Sequence, residues 1–224
     1  NGSGVVGVAP GARLWAVKVL NDIGSGYLSW IIAGIDWVTS NASTIEVANM
    51  SLGCECSSQS LNDALNRSTD AGVVYVVAAG NSAKDASTFS PANHPRVIAV
   101  SAVADFDGKA GGKATPTCRS DGGADDTFAT FSNYGSVVDL AAPGVCILST
   151  VPGGYAVYSG TSMASPHGAG AAALYIVEKG IARSSTRWST VREGLTTQWS
   201  VPQDHACGFS GEDFKGPFLL LAAC

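Results

Sequence analysis

The sequence predicts an α/β fold, a mainly parallel sheet with helices packed on its faces, and three observations carry that prediction. Strand-like and helix-like stretches alternate along the chain, the order that crossover connections between parallel strands require. The run Val73-Val74-Tyr75-Val76-Val77-Ala78-Ala79 is apolar throughout, as a strand buried on both faces must be. Finally, 27 glycines and 46% hydrophobic residues at only 14% charge describe a tightly packed chain and exclude a disordered one. At 224 residues, with no linker or composition shift to divide it, residues 1–224 are read as a single domain.

Taken in order, Arg13 to Leu20 is rich in alternating apolar residues and predicts a first strand. After the break at Gly24-Ser25-Gly26, residues Leu28, Ile31, Ile35 and Val38 recur at helical spacing and predict a helix over 27–41. Ile45 to Ser51 predicts a strand. Over 58–71, Leu61, Ala64, Leu65 and Ser68 share one side of a helix that Gly72 stops. The buried run 73–79 follows, then a strand over 96–103. Residues 105–126, rich in Gly, Lys, Asp and Thr, predict a surface excursion. Two stretches, 145–150 and 155–159, flank Pro152-Gly153-Gly154 and predict a hairpin. A helix-forming run at Ala169 to Val177 and a helix near 186–197 precede a cysteine-bearing tail.

A net charge of −5 gives nucleic acid or an anionic membrane nothing to bind, and no apolar run reaches the length of a membrane span. Six cysteines without paired zinc-type spacing predict disulfides and an oxidising compartment. The expected bridges are Cys118–Cys146 and Cys207–Cys224. Cys54 and Cys56 are expected not to pair with each other, being so close in sequence.

The chemistry concentrates at Gly160-Thr161-Ser162-Met163-Ala164-Ser165-Pro166-His167. Small residues two positions either side of Ser162 let a substrate carbonyl approach, and a following helix turns free N–H groups toward developing negative charge. A turn capping a buried helix would also use such residues. Earlier, Ala78-Ala79-Gly80-Asn81 ends the most buried strand, at the carboxyl edge where α/β sheets gather functional groups. An asparagine amide there is a donor for an oxyanion, or simply a turn residue after a strand.

The string around Ser162 resembles the serine motif of the subtilases, the subtilisin and proteinase K family of serine endopeptidases, and the likeness extends from residue 1 to about residue 195. It implies a three-layer α/β/α fold, Ser162 as nucleophile and Asn81 as oxyanion donor, and it extends the oxidising compartment to secretion. Asn49-Met50-Ser51-Leu52-Gly53 is similar to the segment forming one wall of the family's primary specificity pocket, so Ser51, Leu52 and Gly53 fall there, opposite Ala78, Ala79 and Gly80. Gly24, Ser25 and Gly26 resemble the edge that pairs with an extended peptide substrate. Leu28 and Ile31 match a more distal pocket. Charge is absent from all these walls, which implies large apolar or aromatic residues before the scissile bond.

Two calcium sites are implied as well. One takes Asn1 with backbone oxygens of Ser3 and Val5, a half-set of ligands. The other takes Asp139 with the carbonyls of Pro95 and Val97, although Asp139 would serve equally as an ordinary strand-end carboxylate. Gly168 departs from the family, which favours valine there, and Ser159 stands where asparagine is usual.

The family's Asp motif and H-G-T-H motif are absent. Asn1 to Pro10 resembles the segment a dozen residues beyond the catalytic histidine. The resemblance therefore places the base and its carboxylate in an N-terminal portion outside this chain, and the chain alone is expected to be inert. His167, about 140° round the helix from Ser162, points away. His94, in a turn-rich loop, is expected to be solvated. Asp204 and His205 follow Ser162 in the order used by α/β-hydrolase esterases, a second reading. A third is a binding scaffold that kept the fold and lost the triad.

Overall fold

The computed structural model describes residues 4–108, 112–118, 122–202 and 217–219. The elements are α1 (Leu28–Ser40), β1 (Val47–Met50), β2 (Cys54–Glu55), α2 (Gln59–Asp70), β3 (Val74–Ala78), β4 (Phe89–Ser90), β5 (Val97–Ala104), β6 (Thr127–Phe128), β7 (Leu140–Pro143), β8 (Ile147–Val151), β9 (Gly154–Tyr158), α3 (Thr161–Lys179), α4 (Arg187–Thr197), β10 (Ser200–Pro202) and β11 (Pro217–Leu219). The main sheet has the order β1-β3-β5-β7-β11-β10, with β6 beside β5. From β1 to β11 every pairing along this path is parallel, and its register includes Val47 opposite Val74, Tyr75 opposite Val97 and Val100 opposite Leu140.

The period of two along β3 divides the core. Val73, Tyr75 and Val77 face Ile35 and Val38 of α1 and Leu61 and Leu65 of α2. Val74 and Val76 face the opposite way, onto Ala164, Ala171, Ala172 and Ile176 of α3 and Val191 and Leu195 of α4. The result is the expected three layers, helix–sheet–helix. Ser58 caps α2, its hydroxyl accepting from the N–H of Leu61, and Gly72 follows it at φ +88°. At Gly168 the α3 backbone lies so close to the sheet that an added β-carbon would meet Val76 and Val100 at 3.1 Å, which accounts for a small residue inside a helix.

Three expectations are corrected. Arg13 to Leu20 runs without a ladder: Val17 and Val19 lie against Gly34 of α1, but Leu14 is 93% exposed. A strand needs a hydrogen-bonding neighbour, and among the described residues none flanks this segment, while β1 pairs only on its β3 side. Cys54 and Cys56 are bonded to each other. The N–H of Cys56 donates to the carbonyl of Cys54 at 2.9 Å, and this tight turn brings the two Cα atoms to 5.3 Å, within normal disulfide reach. His94 is buried, because its Nδ1 accepts from the N–H of Arg96 and its other nitrogen meets the Asn62 carbonyl. Within the excursion at 105–126, Asp125 and Asp126 are buried as well, their carboxylates binding the N–H groups of Phe106, Ala114 and Gly112. The Cys118–Cys146 bridge is present, and Cys207–Cys224 lies outside the described residues.

Candidate active site

Gly160 precedes α3 at φ +156° and ψ +161°, a region open essentially to glycine alone. That kink lets the chain leave β9 and begin a helix with Thr161 and Ser162 as its first two residues. The opening N–H groups of any helix have no partner within it, so this turn presents donors beside Ser162. Gly144 permits the close approach, since its carbonyl accepts from Gly160 N–H at 2.8 Å and a β-carbon on it would sit 2.9 Å from the Gly160 oxygen.

Asn81 reaches the same place from the end of β3. Its Oδ1 accepts from the N–H of Thr161 at 2.8 Å and from the Thr161 hydroxyl at 2.9 Å. Both acceptor directions of the amide are thereby spent on Thr161, and its Nδ2 remains as a donor. The Thr161 hydroxyl also receives the N–H of Gly80, tying strand end to helix start. Serines complete the arrangement. Ser51 Oγ donates to the Ser162 carbonyl at 2.8 Å, Ser162 Oγ lies 3.4 Å from the Ser51 carbonyl, and Ser165 Oγ donates to Asn49 Oδ1 at 2.6 Å.

A residue that sequence reasoning missed holds this loop in place. Asn133, fully buried, accepts on Oδ1 from the N–H groups of Ser82 and Lys84 and donates from Nδ2 to the Ala79 carbonyl. Its backbone N–H donates to the Gly80 carbonyl. A side chain on Gly80 would collide with Asn133 Nδ2.

Ser162 opens onto a cleft of about 340 Å³ lined by Leu52, Gly53, Ala78, Ala79, Gly80, Asn81 and Phe89 among others. Ser51 is not among the residues lining it and is bonded to Ser162 instead. Leu28, Ile31 and Leu52 are half-buried and pack against one core cluster, while Gly24, Ser25 and Gly26 form an exposed loop. The cleft also contains Glu55, so its lining is not free of charge as the sequence had suggested.

Neither described histidine is bonded to Ser162. The His167 ring is hydrogen-bonded to the Met163 carbonyl at 2.9 Å within its own helix, and burial holds its pKa below the usual 6.5. Burial does the same to His94, helped by the Arg96 charge. Asp204 and His205 lie outside the described residues.

The expected calcium ligands are a poor fit where they can be tested. Arg192 Nη1 donates to the Pro95 carbonyl at 2.8 Å and lies 3.7 Å from Asp139 Oδ1, so a guanidinium already supplies positive charge between them. Asp139 Oδ2 instead accepts the Ala99 N–H, and burial raises its pKa to about 6 against those two opposing influences. Val97 is buried at the start of β5. Of the other set, Val5 is half-buried, and Asn1 and Ser3 lie outside the described residues.

The structure is thus a parallel α/β/α sandwich in which a serine at a helix N-terminus is met by an asparagine from a strand end. The sequence profile of the subtilase family matches residues 1–209, and the chain belongs to that family. It is 45% identical over 180 residues to subtilisin NAT of Bacillus subtilis subsp. natto, covering 79% of this chain and 42% of that protein. Alkaline elastase YaB of Bacillus sp. (strain YaB) is 40% identical over 193 residues, or 86% of this chain and 44% of the relative. Among solved structures, a cold adapted subtilisin-like serine proteinase superposes with a TM-score of 0.77 at 36% identity, covering 99% of this chain and 73% of that one. The chain thus spans less than half the length of the first two relatives.

Proposed function

We propose that these residues form the nucleophile-bearing part of a serine endopeptidase. Ser162 Oγ gives its proton to the base and attacks the peptide carbonyl, while Asn81 Nδ2 and the N–H of Ser162 hold the oxyanion. The C–N bond breaks, the amine leaves with that proton, and water hydrolyses the ester left on Ser162. The general base and its orienting carboxylate come from an N-terminal portion of the same domain, outside this chain, and the reaction uses no cofactor. The single observation that carries the reading is the double acceptance by Asn81 Oδ1 from Thr161, which orients the amide with its donor side available to the start of α3. A core-packing asparagine has no need of that orientation.

Peptide and protein substrates follow, bound extended along Gly24–Gly26 with a large apolar or aromatic side chain in the cleft beside Leu52 and Phe89, and a second apolar residue near Leu28 and Ile31. The Cys118–Cys146 bridge fits an extracellular setting. Structural calcium through Asn1, Ser3 and Val5 remains part of the proposal, and the Asp139 position does not.

The test is labelling by a fluorophosphonate probe together with hydrolysis of a peptide substrate, on this chain alone and on a full-length protein that contains it. Ser162→Ala abolishes both in the full-length protein, and Asn81→Leu lowers kcat by about 10²–10³, the loss known for the oxyanion-hole asparagine of a subtilisin. The chain alone neither labels nor hydrolyses. A full-length protein that binds peptides yet never labels is the non-catalytic scaffold instead, and would refute the proposal.

A further inference from the structure

Among the described residues lining the cleft, Glu55 alone is ionisable. Its place is built, not incidental. Residues Cys54 and Glu55 form β2, paired antiparallel to β4 with Glu55 opposite Phe89, and the Cys54–Cys56 bridge closes around Glu55. Ser90 Oγ donates to the Cys56 carbonyl at 2.9 Å, fastening the bridge to the same strand. The carboxylate accepts Lys84 Nζ on both oxygens, at 2.8 and 3.1 Å. Lys84 is itself anchored, because its N–H reaches Asn133 Oδ1 and its carbonyl receives the N–H of Tyr134. Both side chains are about half exposed, and Glu55 lines the cleft together with Ala78, Ala79 and Gly80.

We infer that Glu55 is a specificity-determining residue, and that the cleft takes lysine and arginine before the scissile bond as a second class of substrate beside large apolar residues. This rests on the endopeptidase reading. A basic side chain lays its methylene stem along Leu52 and Phe89 and brings its cation up to the rim, as long cationic side chains do on apolar surfaces. There it competes with Lys84 for the Glu55 carboxylate. An acidic side chain meets the same carboxylate and is disfavoured. Lys84 therefore sets how much of the Glu55 charge a substrate feels, and the two residues have opposite effects on selectivity.

The experiment measures kcat/KM of the full-length protease for paired peptides that differ only in Arg or Phe before the scissile bond. The Arg/Phe ratio within one enzyme preparation is independent of the fraction that is active. Glu55→Gln lowers the ratio by about two- to fivefold and Lys84→Met raises it by a similar factor, the size an exposed ion pair carries. Both shifts shrink as salt is raised. Cleavage of the Phe peptide with a ratio unmoved by either substitution overturns the assignment of Glu55 alone. Hydrolysis of neither peptide by the unsubstituted protein overturns the endopeptidase reading, and this inference with it.

Discussion

Asn133 offers the sharpest test of how the site is held. Replacing it by alanine deletes three side-chain hydrogen bonds, to Ser82 N–H, Lys84 N–H and the Ala79 carbonyl, from a residue with no solvent exposure. Each such bond contributes about 1 kcal/mol net, and a buried backbone group left unpaired costs about 1–3 kcal/mol. Alanine leaves space for a water to recover part of that, so the expected loss is about 3 kcal/mol. In a urea titration of the full-length protein followed by tryptophan fluorescence, the midpoint falls by about 1.5 M for a slope near 2 kcal/mol/M. Activity falls too, because the Ala79–Lys84 loop carries Asn81. A midpoint that moves by less than about 0.5 M would mean that the loop is held by other contacts and that the role given to Asn133 is wrong.

Loss of the Cys118–Cys146 bridge by paired Cys→Ser substitution frees a separation of 28 residues, and the entropic model gives a cost of about 3.5 kcal/mol, read as a lowered thermal or urea midpoint. An unchanged midpoint refutes it. His94 and His167 both have folded pKa values held below 6.5 by burial, so the unfolded chain takes up their protons first as the solution is acidified. Their contribution to stability is complete above pH 6.5 and is lost as pH falls through the folded values. Urea midpoints compared at neutral and mildly acidic pH should fall less in His94→Gln and in His167→Gln than in the parent, and parallel profiles would remove both residues as the cause.

What the sequence made legible depended on whether a signal was local. β3, α2 and β5 were readable because their own residues carry the period or the unbroken apolar run. The strings around Ser162 and Asn81 stand out because small residues crowd into them, and the structure brings the two strings into contact through Asn81 and Thr161. Asn133 was not readable: it is one polar residue in Phe131-Ser132-Asn133-Tyr134, and its partners are some fifty positions earlier. Arg13 to Leu20 has the composition of a strand, but pairing depends on a neighbour that composition does not contain. Cys54 and Cys56 were judged by separation alone, whereas the backbone turn between them decides the matter. Glu55 drew no reading from the sequence, because only the two-residue pairing of β2 with β4, too short for any periodicity, carries it to the cleft.

Asn81 and Thr161 are joined by hydrogen bonds across 80 positions, and α3 packs on β1, β3, β5 and β7, which precede it in the chain. A ribosome extends the chain from its N-terminus, and domains fold as units as they emerge. β3 is therefore made long before the helix that completes its loop. The two partners of that contact meet only once α3 has been made, when β3 and β5 are already available as a template.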